Sequence, residues 1–264
     1  MDKNKKALLV VSFGTSYIDV ITSCIEPVEE AMGAAAPEYD RFRAFTSGMI
    51  INKLKRVHDL CIYTPSEALD MLAGEGYVVV AVQPTHILAG TEYHDLAKTV
   101  ERFGAEHPEI NVTLGQPLLF ENEDYERVAQ ALGHWMPSTN ENEVVLLMGH
   151  GTEHFSNSSY FALQHYLDKL PTRAVYVANV EAPPVLDEVM DKMKAQGITR
   201  VYLMPLMLVA GDHARNDMAG EDEDSWYNIL TNRGFEVEVL LHGLGESGDF
   251  CRLYARKAAM VVTP

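Results

Sequence analysis

Short, nearly unbroken runs of Val and Leu recur along this chain and constrain its fold more than any other feature. Leu8-Leu9-Val10-Val11, Val78-Val79-Val80-Ala81-Val82 and Val144-Val145-Leu146-Leu147 lack the apolar-polar alternation of a half-solvated strand. Strands that read this way are buried on both faces, as in parallel sheets. The strand expectations are Ala7 to Phe13, Tyr77 to Gln83, Asn111 to Leu114, Glu143 to Met148, Arg173 to Asn179, Arg200 to Met204 and Glu236 to Leu241. Between them lie helical patterns such as Glu92 to Glu106, Glu123 to Trp135, Ser158 to Leu170 and Pro184 to Gln196. Strand and helix in alternation imply βαβ units, so the fold class is α/β with parallel sheets flanked by helices.

The two halves repeat. Leu8-Leu9-Val10-Val11-Ser12-Phe13-Gly14-Thr15 matches Val145-Leu146-Leu147-Met148-Gly149-His150-Gly151-Thr152, with Phe13 opposite His150. Pro84 to Glu92 matches Pro205 to His213, sharing Pro and Ala-Gly at the same offsets, and Glu92 falls opposite His213. The polar segment Pro137 to Asn142 reads as a linker, giving an N-terminal lobe over 1–137 and a C-terminal lobe over 143–264. Two similar lobes are expected to leave an active-site cleft lined by loops at the carboxyl ends of their strands.

Charge and cysteine content exclude several classes. A formal charge of -17 leaves no surplus of Lys and Arg to replace phosphate counterions, so neither nucleic acid nor an anionic membrane is an expected partner. Cys24, Cys61 and Cys251 are odd in number and form no CxxC pair, which disfavours a disulfide framework and a thiolate metal site; buried free thiols are expected. Residues 1–6 lead straight into the short run Ala7 to Phe13 with no long apolar stretch, and the expectation is a soluble, cytoplasmic protein. A homo-oligomer is compatible with this composition. The run Glu221 to Asp224 reads as a solvated helix face.

Candidate chemistry sits at strand ends. His150 follows a strand and precedes Gly151, and His213 follows the apolar run Leu203 to Ala210 and Gly211. The strand ending near Val180 puts Glu181 at the same edge, ahead of Pro183-Pro184. Two imidazoles and a carboxylate suit a borderline divalent ion, with Glu181 also available as a proton acceptor. Glu181 equally suits a helix N-terminus, and a single strand-end histidine is commonly structural. His134, His154, His165 and His242 lack a comparable context, and Met204 with Met207 reads as core filling. The Gly14-Thr15-Ser16 turn lacks a Walker lysine and a full GxGxxG.

Several stretches together resemble the anaerobic cobalt chelatase family of cobalamin biosynthesis, within the class II chelatases that include ferrochelatase. They are Ser12 to Tyr17, Gln83 to His86 with Gly90-Thr91-Glu92, Met148 to Thr152, Val180-Glu181, and above all Leu208 to Ala214 with Asn216 to Gly220. The resemblance implies an ATP-independent enzyme that inserts Co2+ into sirohydrochlorin or its precursor, a lyase of porphyrin and cobalamin biosynthesis without organic cofactor. It places the metal ligands on His150, Glu181 and His213 and the active-site glutamates on Glu181 and Glu92. Fe2+ and Ni2+ are alternative metals, since imidazole and carboxylate accept all three. A tetrapyrrole or metal carrier without turnover is the alternative function; a metallohydrolase is disfavoured by the lack of HExxH. Because the substrate is a polycarboxylate and the protein is acidic, local donors are expected at Ser12, Thr15, Ser16, Arg215 and helix starts.

Overall fold

The computed structural model describes residues 5–171 and 174–262. Residues 1–4 of the lead-in, and Arg173 at the start of the fifth expected strand, lie outside the described residues. In chain order the elements are β1 (Lys6–Ser12), α1 (Ile18–Val20), a π-helical segment (Ile21–Ile25), α2 (Glu26–Ala35), β2 (Asp40–Phe45), α3 (Gly48–His58), α4 (Pro65–Gly74), β3 (Val79–Pro84), α5 (Thr91–Glu106) and β4 (Asn111–Leu114). The chain continues through α6 (Asn122–Trp135), β5 (Glu143–Gly149), α7 (Ser158–Leu167), β6 (Val175–Asn179), α8 (Leu186–Ala195), β7 (Arg200–Pro205), a second π-helical segment (Ala214–Met218), α9 (Trp226–Asn232), β8 (Glu236–Val239) and α10 (Gly248–Val262).

Among the described residues the strands form two four-stranded sheets, ordered β2-β1-β3-β4 and β6-β5-β7-β8, with every pairing parallel. The repeat holds at the level of register. Val11 pairs with Pro84 in the first sheet and Met148 with Pro205 in the second. The next amides continue the match: Thr85 N–H donates to Val11 C=O and Leu206 N–H to Met148 C=O, both at 2.8 Å. Gly14 and Gly151 both adopt positive φ, +97° and +81°, so each β1-type strand leaves its sheet by the same turn.

The first strand of each sheet is wholly buried from its second residue onward, as the unbroken Val/Leu runs require. One core gathers Leu9, Val11, Val80, Val82, Leu96 and Phe103 around the first sheet; another gathers Val144, Leu146, Met148, Val201, Leu203 and Leu230 around the second. At roughly 1.5–3 kcal/mol for each large aliphatic or aromatic side chain, these contacts dominate the stabilisation of each sheet.

β2 was not among the expected strands. Its sequence, Asp40-Arg41-Phe42-Arg43-Ala44-Phe45, mixes charge with apolar residues and suits an edge strand. Arg43 is accommodated because Glu29 of α2, itself buried, accepts from its Nε and Nη2, each at 2.7 Å. Tyr77 locks the other end, donating to Asp40 at 2.8 Å and meeting Phe42 edge-on at 5.3 Å.

Contacts divide the chain into two compact units, Met1–Phe120 with Phe250–Pro264, and Glu121–Asp249. The expected division at 137–143 differs in both respects: α6 groups with the second sheet, and α10 returns to the first. The second assignment has a clear cause. Tyr254 of α10, fully buried, donates to Thr85 C=O at 2.9 Å, and Lys257 donates to Gln116 Oε1 at 3.1 Å. Among the described residues no helix is long and apolar enough to cross a membrane. Cys24 is buried as expected, whereas Cys61 is exposed and Cys251 half-buried, all as free thiols. Glu221 to Asp224 is exposed but forms turns instead of a helix face.

His86, just beyond β3, is the anomaly of the first unit. Both ring nitrogens are shut off from solvent and neither has a hydrogen-bond partner among the described residues. Burial pushes its pKa down to about 4 from the ordinary 6.5, so the fold holds it neutral. A depressed histidine contributes stability that is present above the unfolded pKa and is lost as pH falls toward the folded one. Acidification from about pH 6.5 to about pH 4 should therefore cost up to about 3 kcal/mol through this residue. Urea unfolding of the parent and of His86→Leu at neutral and acidic pH measures it: the variant should lose less stability on acidification. Equal losses in both proteins would show that His86 titrates no differently in the folded state.

Candidate active site

The carboxyl edge of the second sheet gathers the histidines. β5 ends at Gly149, so His150 is the first residue off the sheet, and Gly151 turns the chain with φ +81°. A side chain at 151 is excluded twice over, since a Cβ would lie 2.8 Å from Ala182 N and 2.9 Å from Asn179 Cβ. That close approach brings in the loop after β6. Val180 N–H donates to Gly149 C=O at 3.1 Å and Glu181 N–H to His150 C=O at 2.9 Å. The Glu181 carboxylate lies 3.5 Å from His150 Nδ1. The expected alternative for Glu181, at a helix N-terminus, does not hold, because α8 starts only at Leu186.

His213 arrives from the loop after β7 and immediately precedes the π-helical turn Ala214–Met218. Single π turns of this kind are frequent at functional sites. Here the turn sets His213 against Asp217, whose Oδ2 lies 2.5 Å from Nδ1. The rings of His150 and His213 then meet edge to face, with centroids 4.6 Å apart and planes at 88°. Their side chains remain substantially open, 44% for His150 and 41% for His213, so an incoming ion can reach them.

Both rings are oriented in the same sense. His150 Nδ1 faces Gly151 C=O at 2.9 Å, and His213 Nδ1 faces the Asp217 carboxylate. When Nδ1 carries the proton in each, both Nε2 lone pairs are left for a ligand, the arrangement by which acceptors behind a histidine prepare it for a metal. Among the described residues no group of three or more His, Cys, Asp or Glu side chains converges on one point. The assembled chemistry is an imidazole pair backed by two carboxylates, Asp217 behind His213 and Glu181 beside His150.

Glu92 lies in the first turn of α5, in the other unit. Asp217 was not singled out from the sequence as a site residue; its signal is the His-x-x-x-Asp spacing, which stacks the two side chains one turn apart on a helix. Ser12 and Thr15 are not available as donors to a bound anion. They are 1% and 3% exposed; Ser12 Oγ accepts from Thr85 at 2.8 Å, and Thr15 Oγ1 accepts from Tyr17 N–H at 3.2 Å. His154 accepts from Ser156 N–H at 3.2 Å and caps a short 3-10 turn, His134 pairs with Asp249, and His242 pairs with Glu246. Buried Met204 and the partly buried Met207 are core residues, as expected.

Comparison with known proteins places the chain in a family. Residues 6–263 match the family described as Cobalt chelatase (CbiK). The chain is 45% identical over 245 residues to the sirohydrochlorin cobaltochelatase of Salmonella typhimurium, covering 92% of this chain and 91% of the relative. It is 32% identical over 254 residues to the sirohydrochlorin cobaltochelatase CbiKC of Nitratidesulfovibrio vulgaris, covering 95% and 88%. In fold it is similar to SirB from Bacillus subtilis with Fe3+, with a TM-score of 0.69 at 17% identity over 98% of this chain and 96% of that one. With parallel sheets of matching topology, strand-end histidines and a family match that spans nearly every residue, the chain belongs to the cobalt chelatase (CbiK) family.

Proposed function

We propose that this protein is a cytoplasmic sirohydrochlorin cobaltochelatase, inserting Co2+ into the macrocycle without ATP or an organic cofactor. The observation that carries the reading is the imidazole pair, His150 and His213, held at 4.6 Å with each Nδ1 facing an acceptor. Insertion exchanges one divalent ion for two pyrrole N–H protons. The protein must therefore offer the ion on ligands that let go and must supply acceptors for protons. Two neutral imidazoles with open Nε2 lone pairs hold a partly hydrated Co2+ more loosely than thiolates would. A loosely held ion can pass to the macrocycle nitrogens.

The carboxylates divide the remaining work. Asp217 fixes the tautomer of His213 and raises its donor strength, a positioning role. Glu181 lies on the Nδ1 side of His150 and its side chain is 55% exposed. That placement favours proton acceptance over metal ligation, although a change of rotamer would allow both. Glu92 is assigned as the second acidic residue from its place in the repeat and in the family pattern.

The decisive test is turnover. Anaerobic incubation of sirohydrochlorin and Co2+ with substoichiometric protein should yield many equivalents of metallated product. A carrier would stop at one equivalent, and that result would overturn the assignment.

Two substitutions separate the roles. Asp217→Asn should raise the KM for Co2+ by about 10–100-fold, the usual loss when the partner behind a metal-binding histidine is removed, while the KM for sirohydrochlorin stays put. If both constants move together, Asp217 supports the fold instead of the metal site. Glu181→Gln keeps the shape and removes the base, so kcat should fall by about 100-fold or more while Co2+ binding changes little. A variant that loses Co2+ affinity and keeps kcat would make Glu181 a ligand.

A further inference from the structure

The two sheets share a topology, yet their carboxyl-edge loops carry opposite chemistry. In the second unit the turns after the first two paired strands present His150 and Glu181. In the first unit the corresponding positions, after β1 and β2, are Phe13 and Ser47; Phe13 is 49% exposed, and Met49, two residues further on in the first turn of α3, is 83% exposed. These turns are bonded to each other: Thr46 N–H donates to Ser12 C=O at 2.9 Å and Ser47 N–H to Phe13 C=O at 3.2 Å. The Gly14 turn fixes them further, because a Cβ there would meet the Phe45 ring at 2.5 Å. Phe13, on the turn after β1, and Met49, in the first turn of α3, are thus exposed at adjoining, well-braced places, where a large apolar side chain gains nothing from solvent.

α3 adds charge of the rarer sign. In a protein of net charge -17 this helix carries Lys53, Lys55 and Arg56 and no acidic residue. Met49, Lys53 and Arg56 are spaced to share one helix face, all exposed, while Leu54 turns into the core. Lys53 Nζ sits 5.6 Å from the Tyr17 ring, which ties this face of α3 to the chain just beyond Phe13 and Gly14. Neither Lys53 nor Arg56 forms an ion pair among the described residues.

We propose that Phe13, Met49, Lys53 and Arg56 form the surface that recognises the tetrapyrrole, the apolar pair against a flat face of the macrocycle and the cations against its peripheral carboxylates. The proposal rests on the reading of a sirohydrochlorin substrate and adds what that reading lacked, a source of positive charge. Buried Ser12 and Thr15 do not supply it. A planar π system ringed by carboxylates is complementary to an exposed aromatic and thioether flanked by unpaired ammonium and guanidinium groups.

The test measures equilibrium binding of metal-free sirohydrochlorin by its absorbance, alongside turnover. Phe13→Ala, Met49→Ala and the double substitution Lys53→Gln/Arg56→Gln are compared with Lys192→Gln/Lys194→Gln, which removes the same charge from exposed positions on α8. Phe13→Ala and the α3 double variant should each weaken sirohydrochlorin binding by about tenfold, leaving the KM for Co2+ unchanged. Phe13→Trp should retain binding, and the α8 variant should match the parent. Binding to the parent should weaken with added salt, and binding to the α3 variant should respond less. Unchanged sirohydrochlorin affinity in both Phe13→Ala and the α3 variant overturns the proposal. If the parent binds sirohydrochlorin without catalytic turnover, the chelatase reading falls while these binding constants still decide the surface. If the parent binds none, both fall.

Discussion

The hydrogen bond from Glu181 N–H to His150 C=O, at 2.9 Å, is the point on which the candidate site depends. It joins the turn after β5 to the turn after β6, and only glycine at 151 lets the two backbones come that close. Without that junction the Glu181 carboxylate would have no fixed relation to the His150 ring. The junction in turn needs β5 and β6 to end in register, Gly149 opposite Asn179, which the parallel pairing supplies. Chemistry at the edge is thus specified by backbone geometry two or three residues inside the sheet.

Much of this was legible in the chain. Buried parallel strands must be apolar on both faces, so β1, β3, β5 and β7 announce themselves, and their matching sequences carry the repeat that the registers confirm. β2 was not legible, because its Arg43 looks like a solvent residue until Glu29 of α2 is brought beside it. Nor was the allegiance of α10. An amphipathic helix advertises an apolar face but not the sheet it covers; the Tyr254 bond to Thr85 settles that only in three dimensions. At the site, His150 and His213 stood out because each follows a strand. Asp217 did not, since its partnership with His213 arises from a local helical turn whose π character no periodicity predicts.

The repeat also explains why one scaffold can serve two partners of unlike chemistry. Strand order and turn geometry are common to both sheets, so the same positions are available at each edge, and substitution at those positions costs the core nothing. The second sheet has filled them with His150 and Glu181, the first with Phe13 and Ser47, and exposed Met49 follows at the start of α3. A reaction that joins a hydrated divalent ion to a flat, mostly apolar ring calls for both kinds of surface.

Net charge sharpens this division. A field of -17 attracts cations to the whole molecule, which aids delivery of a divalent ion to open imidazoles and opposes the approach of a polycarboxylate. Because exposed charges are screened within about 8–10 Å at ordinary ionic strength, a local cluster can reverse the sign of the potential without altering the total. Lys53 and Arg56 can do so because no carboxylate among the described residues neutralises them. An acidic protein can therefore concentrate the metal globally and admit the macrocycle locally, provided that its few uncompensated cations lie beside its exposed apolar side chains. On α3, where Met49, Lys53 and Arg56 share a face, they do.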